Sequence, residues 1–156
     1  MCHTMESHCR FAWKVMMPQC AAKKLAIIAH SAGGSCVRNL WDVERVALKS
    51  KLKALVFTDS YYHGMENSSD EKELRFLANI GIHFKAYYKT YQEVGEILPS
   101  QNGPILEVSA GTDQHVLTTG VSAPAINGER STRLARPYSV SSPASSSSSM
   151  AVLTSG

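Results

Sequence analysis

The chain has 156 residues, 44% of them hydrophobic and 19% charged, with 16 lysines and arginines against 13 aspartates and glutamates. That length allows one modest core and argues against two domains. No stretch approaches the roughly 18 consecutive apolar residues of a membrane helix, and Glu6 interrupts the N-terminus where a signal peptide needs an unbroken apolar core. The net charge of +3 does not mark a phosphate-tracking surface: residues 25–127 carry eleven acids against nine bases, so the positive excess lies in the flanks, as solvated tails.

Residues 1–23 read as an irregular leader. Phe11, Trp13, Val15 and Met17 alternate as a short strand would, and Pro18 ends the run. Cys2-His3 and His8-Cys9 are adjacent pairs with no second ligand pair at finger spacing, so no metal is expected. The four cysteines, Cys2, Cys9, Cys20 and Cys36, are too few and too one-sided for a disulfide scaffold and fit a reducing compartment.

Lys24–Ala29 is a short, wholly apolar run opened by lysines, the pattern of a strand buried on both faces of a parallel sheet. It runs directly into Ala29-His30-Ser31-Ala32-Gly33, a small-x-Ser-x-Gly sequence. That sequence suits a nucleophile elbow, a strained strand-to-helix turn that needs small residues two before and two after the serine. The bland reading is a serine that caps the following helix. His30–Ser35 has neither a G-x-G-x-x-G spacing nor a Lys-Ser/Thr pair, so nucleotide binding is not expected and no cofactor is implied.

From Gly33 the period becomes helical, with Val37, Leu40, Trp41 and Val46 recurring through about Leu48. Lys51–Thr58 is a second buried strand ending in Thr58-Asp59-Ser60, followed by a polar loop from Tyr61 to Ser69. Ser68 with Glu71 forms a capping-box pattern for a helix carrying Leu74, Leu77 and Ile80, and Gly81 is placed to stop it. His83–Tyr88 reads as a third strand, Gln92–Pro99 as a short helix or turn, and Ile105–Ser109 as a fourth strand running into Ala110–His115. Residues 128–156, with Pro137, Pro143 and the Ser145–Ser149 run, read as a disordered serine-rich tail. The alternation of strands and helices predicts an α/β fold: a parallel sheet of three to four strands with flanking helices.

A serine becomes nucleophilic when an imidazole takes its proton and a carboxylate orients that imidazole. In α/β-hydrolases the chain order is serine, acid, histidine, each at the C-terminal end of a strand. Ser31, Asp59 and His115 keep that order and that placement, with Glu93 as the alternative acid. Each has a plainer reading: Asp59 as a loop cap, His115 as a surface histidine near Asp113. His30, beside the serine, suits packing or orientation rather than base catalysis, and His63 and His83 have no nameable partner.

Ile27–Gly34, Ala54–Ser60 and Val108–Thr118 together resemble the argonaute-binding-protein domain, an α/β-hydrolase-like domain of cotranscriptional regulators, over residues 24–127. The resemblance implies a nuclear role, with a cytoplasmic one as the alternative, in small-RNA-guided silencing or splicing control. It implies contacts with Argonaute and with chromatin or splicing proteins, small RNA entering only indirectly, and no membrane. It also implies a serine hydrolase scaffold in which Ser31, Asp59 and His115 occupy the triad positions. Set against that pattern, the chain reads as a truncated form whose missing upstream loop would leave an active site with an elbow amide alone, so inactivity is expected. The competing expectation is an active serine esterase or acyl hydrolase.

Overall fold

In the computed structural model, residues 4–62, 64–65, 70–87, 92–99, 103–126 and 150–155 are described. Five parallel strands form one sheet in the order β4-β3-β2-β1-β5: β1 (Lys24–His30), β2 (Leu52–Thr58), β3 (Gly81–Lys85), β4 (Leu106–Ser109) and β5 (Met150–Ser155). Among the described residues four α-helices accompany them: α1 (Met5–Phe11), α2 (Gly33–Lys51), α3 (Glu71–Ile80) and α4 (Thr118–Ile126). The α/β class and the parallel sheet match the sequence pattern.

Period-two alternation in the strands divides the core between the two faces of the sheet. Leu25, Ile27, Ala29, Leu55 and Phe57 point to one face, where Val37, Leu40, Trp41 and Leu48 of α2 and Leu77 of α3 cover them. Val56, Phe84 and Val108 point to the other, against Ala110 just past β4 and Ala125 of α4. With helices on both faces, β1 and β2 read as continuous apolar runs.

The leader differs from its reading. Residues 5–19 are helical: α1, a π-helical turn at Ala12–Met16 and a 3₁₀ turn at Met17–Gln19. Thr4 and Ser7 start α1 with reciprocal side-chain-to-amide hydrogen bonds of 3.1 Å. The four alternating apolar residues contain two i,i+4 pairs, and a helix separates them. Trp13 and Met17 are buried in the core, while Phe11 and Val15 are exposed. Arg10 Nε donates to Asn39 Oδ1 at 2.8 Å, fastening this segment to α2.

Three further features are local. The N-cap of α3 is Asp70, whose carboxylate accepts from the Lys72 amide at 2.9 Å; it stands directly before the helix, and the proposed cap Ser68 lies outside the described residues. The third strand begins at Gly81 and ends at Lys85, because the chain turns from α3 straight into the sheet with no loop. Gln92–Pro99 is a turn rather than a helix, held by an antiparallel bridge between Ile97 and Val108. The expectation of a disordered tail is corrected for its last segment. Met150–Ser155 pairs along β1 from Lys24↔Met150 to Ala29↔Ser155. Its sequence, Met-Ala-Val-Leu-Thr-Ser, regains strand propensity after the serine run, whereas residues 127–149 lie outside the described residues.

Candidate active site

Parallel strands end on one side of a sheet, and side chains just past those ends converge there. Ser31 follows β1 and Asp59 follows β2, one strand away, with His30 registered against Thr58. Their backbones are locked together: the Ser31 amide donates to the Thr58 carbonyl at 3.3 Å, and the Asp59 amide donates to the Phe84 carbonyl at 2.7 Å. Among the described residues they alone combine a side chain with left-handed backbone, at φ 52° for Ser31 and 44° for Asp59. Such conformations cost about 1–3 kcal/mol each and persist where surrounding bonds over-determine them.

Those bonds centre on Ser60. Its hydroxyl donates to the Ser31 carbonyl at 2.7 Å and accepts from the Gly34 amide at 2.9 Å. The Tyr61 amide adds a second bond to the Ser31 carbonyl at 3.1 Å. Gly34 is required by space: a Cβ there would run into the Tyr61 carbonyl and the Ser60 hydroxyl. The serine does not cap α2, whose N-cap is Ala32 with no side-chain bond. Ser31 therefore stands at the tip of a strand-to-helix turn, with its side chain partly exposed.

His115 arrives from the loop after β4. Gly111 turns that loop at φ 73°, the Thr112 hydroxyl accepts from the Gln114 amide at 3.1 Å, and the Thr118 hydroxyl donates to the His115 carbonyl at 2.8 Å. The imidazole Nδ1–H then meets Asp59 Oδ2 at 2.6 Å, across 56 positions of sequence. This pairing separates the candidate acids: Asp59 holds the histidine, and Glu93 sits exposed, its amide bonded to Glu96 Oε2 at 3.2 Å. The two side chains find each other rather than Ser60 or Asp113.

The third link is open. Among the described residues Ser31 Oγ makes no hydrogen bond, and His115 Nε2 makes none either. With its proton on Nδ1, the ring keeps the Nε2 lone pair for a proton from elsewhere. His30 backs the ring. Its centroid lies 4.7 Å from that of His115, and its Nδ1–H donates to the Thr58 carbonyl at 2.8 Å. An orienting role is what this geometry serves.

Sequence reasoning missed a second polar group behind the site. His83 is buried, and its Nε2 accepts from the Ser60 amide at 3.2 Å, while Nδ1 faces Glu107 Oε1 at 3.6 Å. Lys85 Nζ lies 3.4 Å from Glu107 Oε2. Burial lowers the His83 pKa, only partly offset by Glu107, so the ring is neutral near pH 7. Burial alone would raise Glu107, but His83 and Lys85 outweigh it and hold the carboxylate below its usual range. The signal was present in Ile82-His83-Phe84 and Leu106-Glu107-Val108: polar residues inside strands of a sheet covered on both faces must pair.

The family model of the Arb2 domain matches residues 1–88, more than half of the 156-residue chain. The chain belongs to the Arb2 domain family. The match on this Arb2 domain takes in the N-terminal helical segment and both Ser31 and Asp59, and stops before Glu107 and His115. It begins earlier and ends sooner than the resemblance seen in the sequence. The chain is 28% identical over 122 residues to cotranscriptional regulator ARB2A of Mus musculus and 27% identical to that of Homo sapiens. It is 26% identical to the cotranscriptional regulator ARB2A homolog of Gallus gallus. Each alignment covers 78% of this chain and 28% of the relative, so the chain spans little more than a quarter of their length. No solved structure is significantly similar to it. Among the described residues no helix is long and apolar enough to cross a membrane.

Proposed function

We propose that this Arb2 domain is part of a cotranscriptional regulator in small-RNA and Argonaute-linked silencing or splicing control, acting in the nucleus mainly through protein contacts. The observation that carries this reading is the family match, joined to relatives that bear the name cotranscriptional regulator. Its partners are Argonaute and chromatin or splicing proteins, with small RNA entering through them. The test is immunoprecipitation of the tagged chain from nuclear extract. Enrichment of an Argonaute protein that resists nuclease treatment supports the reading, and its absence from both nuclear and cytoplasmic extracts overturns it.

A second reading, a working serine esterase or acyl hydrolase, is favoured by the 2.6 Å Asp59–His115 bond beside the strained Ser31 turn. In this chemistry the Ser31 hydroxyl swings onto His115 Nε2, gives up its proton there and attacks an acyl carbon. Asp59, still ionised, stabilises the imidazolium, which hands the proton to the leaving alcohol or amine as its bond to the acyl carbon breaks; water then hydrolyses the acyl-serine. Fluorophosphonate labelling separates the readings. Labelling that disappears in Ser31→Ala makes the domain an enzyme, while no labelling of cooperatively folded protein leaves a scaffold that has kept the geometry without the reaction.

A further inference from the structure

The carboxylate that holds His115 sits on a two-residue turn, Asp59-Ser60, and something must fix that turn, because Asp59 is held at an unfavourable φ of 44°. Two groups reach it from β3. The Phe84 carbonyl accepts from the Asp59 amide at 2.7 Å, an extension of the β2–β3 ladder. The other is a side chain: His83 Nε2 accepts from the Ser60 amide at 3.2 Å. A buried amide with no acceptor is costly, so this contact biases the turn toward the one conformation in which the amide is satisfied.

We propose that His83 is a positioning residue for the site: its neutral imidazole clamps the Ser60 amide and so sets both the Asp59 carboxylate against His115 and the Ser60 hydroxyl against the Ser31 turn. Three features make an imidazole suited to this place. With Nε2 accepting, the proton sits on Nδ1, which makes no hydrogen bond among the described residues and lies 3.6 Å from Oε1 of Glu107, the registered partner of His83 across β3 and β4. The ring is boxed edge-on by Phe57 and Tyr62, at centroid distances of 6.1 and 5.2 Å. Finally, Ser60 connects onward through its hydroxyl to both Ser31 and Gly34. A hydrogen-bonded path thus runs from His83 on β3 to the Ser31 turn.

The clamp is sensitive to acid. Protonation places a hydrogen on Nε2, where it faces the Ser60 N–H, and two donors cannot bond. The charged or titratable groups around the ring are Glu107 from β4, Lys85 from β3 itself, and Asp59 and Tyr62 from the segment after β2. Glu107 and Asp59 favour the cation while burial and Lys85 oppose it, so the ring stays neutral until the pH falls below the ordinary histidine value. None of this depends on whether Ser31 is ever acylated.

The test is amide and imidazole NMR on the ¹⁵N-labelled full chain, compared with His83→Gln and His83→Phe. Glutamine can offer an acceptor near the Nε2 position without titrating; phenylalanine offers none. In the parent chain, the Ser60 amide is expected to be protected from exchange near pH 7 and to shift together with the His83 ring as the pH falls. In His83→Gln it stays protected and ceases to titrate. In His83→Phe its exchange quickens at least tenfold, and the downfield His115 Nδ1 proton that marks the bond to Asp59 broadens or vanishes, to be restored in His83→Gln. A Ser60 amide that titrates equally in the parent and in His83→Gln overturns the proposal. So does a His115 signal left unchanged in a folded His83→Phe chain.

Discussion

At the scale of single residues, the site rests on steric room as much as on hydrogen bonds. Gly34 lets the first turn of α2 lie against the Ser60-Tyr61 backbone. Gly34→Ala forces that backbone apart and is expected to lower stability by about 1–3 kcal/mol in urea denaturation. Gly120 is the counter-example: a Cβ there meets nothing within 4 Å, and the residue is helical. Gly120→Ala should therefore raise stability by about 0.5–1 kcal/mol in the same assay. The carboxylate has its own test. Should Ser31 react with a fluorophosphonate, Asp59→Asn is expected to slow labelling by about a hundredfold or more, since the imidazole loses the charge that orients it; labelling at the parent rate would remove Asp59 from any triad. The sequence marked Ser31, Asp59 and His115 because residue type and strand-end position are local properties. It left Asp59 and Glu93 unresolved as the acid, because a contact across 56 positions depends on how two loops meet.

At the scale of elements, the N-terminal segment shows how periodicity misleads over short stretches. Phe11, Trp13, Val15 and Met17 satisfy a strand pattern, yet the same four positions split into two helical pairs on opposite sides. The two geometries predict different mutants. In the helix, Trp13→Ala removes a buried side chain and should cost about 3–5 kcal/mol, whereas Phe11→Ala, at a position 48% exposed, should change stability by no more than about 0.5 kcal/mol. In a strand all four side chains would share one face and the two losses would be comparable. The long amphipathic helix α2 and the apolar strands β1 and β2 were legible because their patterns are long or extreme. Met150–Ser155 was not, since six residues after a serine run show strand propensity without any sign of a partner.

At the scale of the whole molecule, two consequences follow from where polar groups and edges lie. His83 is neutral in the fold because burial lowers its pKa, while in the unfolded chain it titrates near 6.5. Between those values the unfolded chain binds more protons, so stability is complete above about pH 6.5 and declines as the pH falls through the lowered folded value. Glu107, with its pKa also held down, adds a loss in the same direction below its ordinary 4.5. Denaturation midpoints at pH 7.5 and 5.0 should differ accordingly, and the part of the difference above pH 5 should shrink in His83→Gln. The second consequence concerns association. β5 covers the edge of β1 along six registered pairs. Ending the chain at residue 149 bares that edge, and sedimentation should then detect oligomers that the full chain does not form.

The amino-acid order alone determined the α/β class, the parallel strands, the strand-to-helix turn at Ser31 and the cast of candidate residues, because each follows from local composition and from periods of two or 3.6 residues. It also carried the family resemblance. Only the tertiary structure decided that Asp59 rather than Glu93 holds His115, that His83 and Glu107 meet beneath the turn, and that the N-terminal segment buries Trp13 against α2 and the sheet. Those outcomes depend on which strands become neighbours and how far each loop reaches. They are distances between residues remote in sequence, and no period along the chain encodes them.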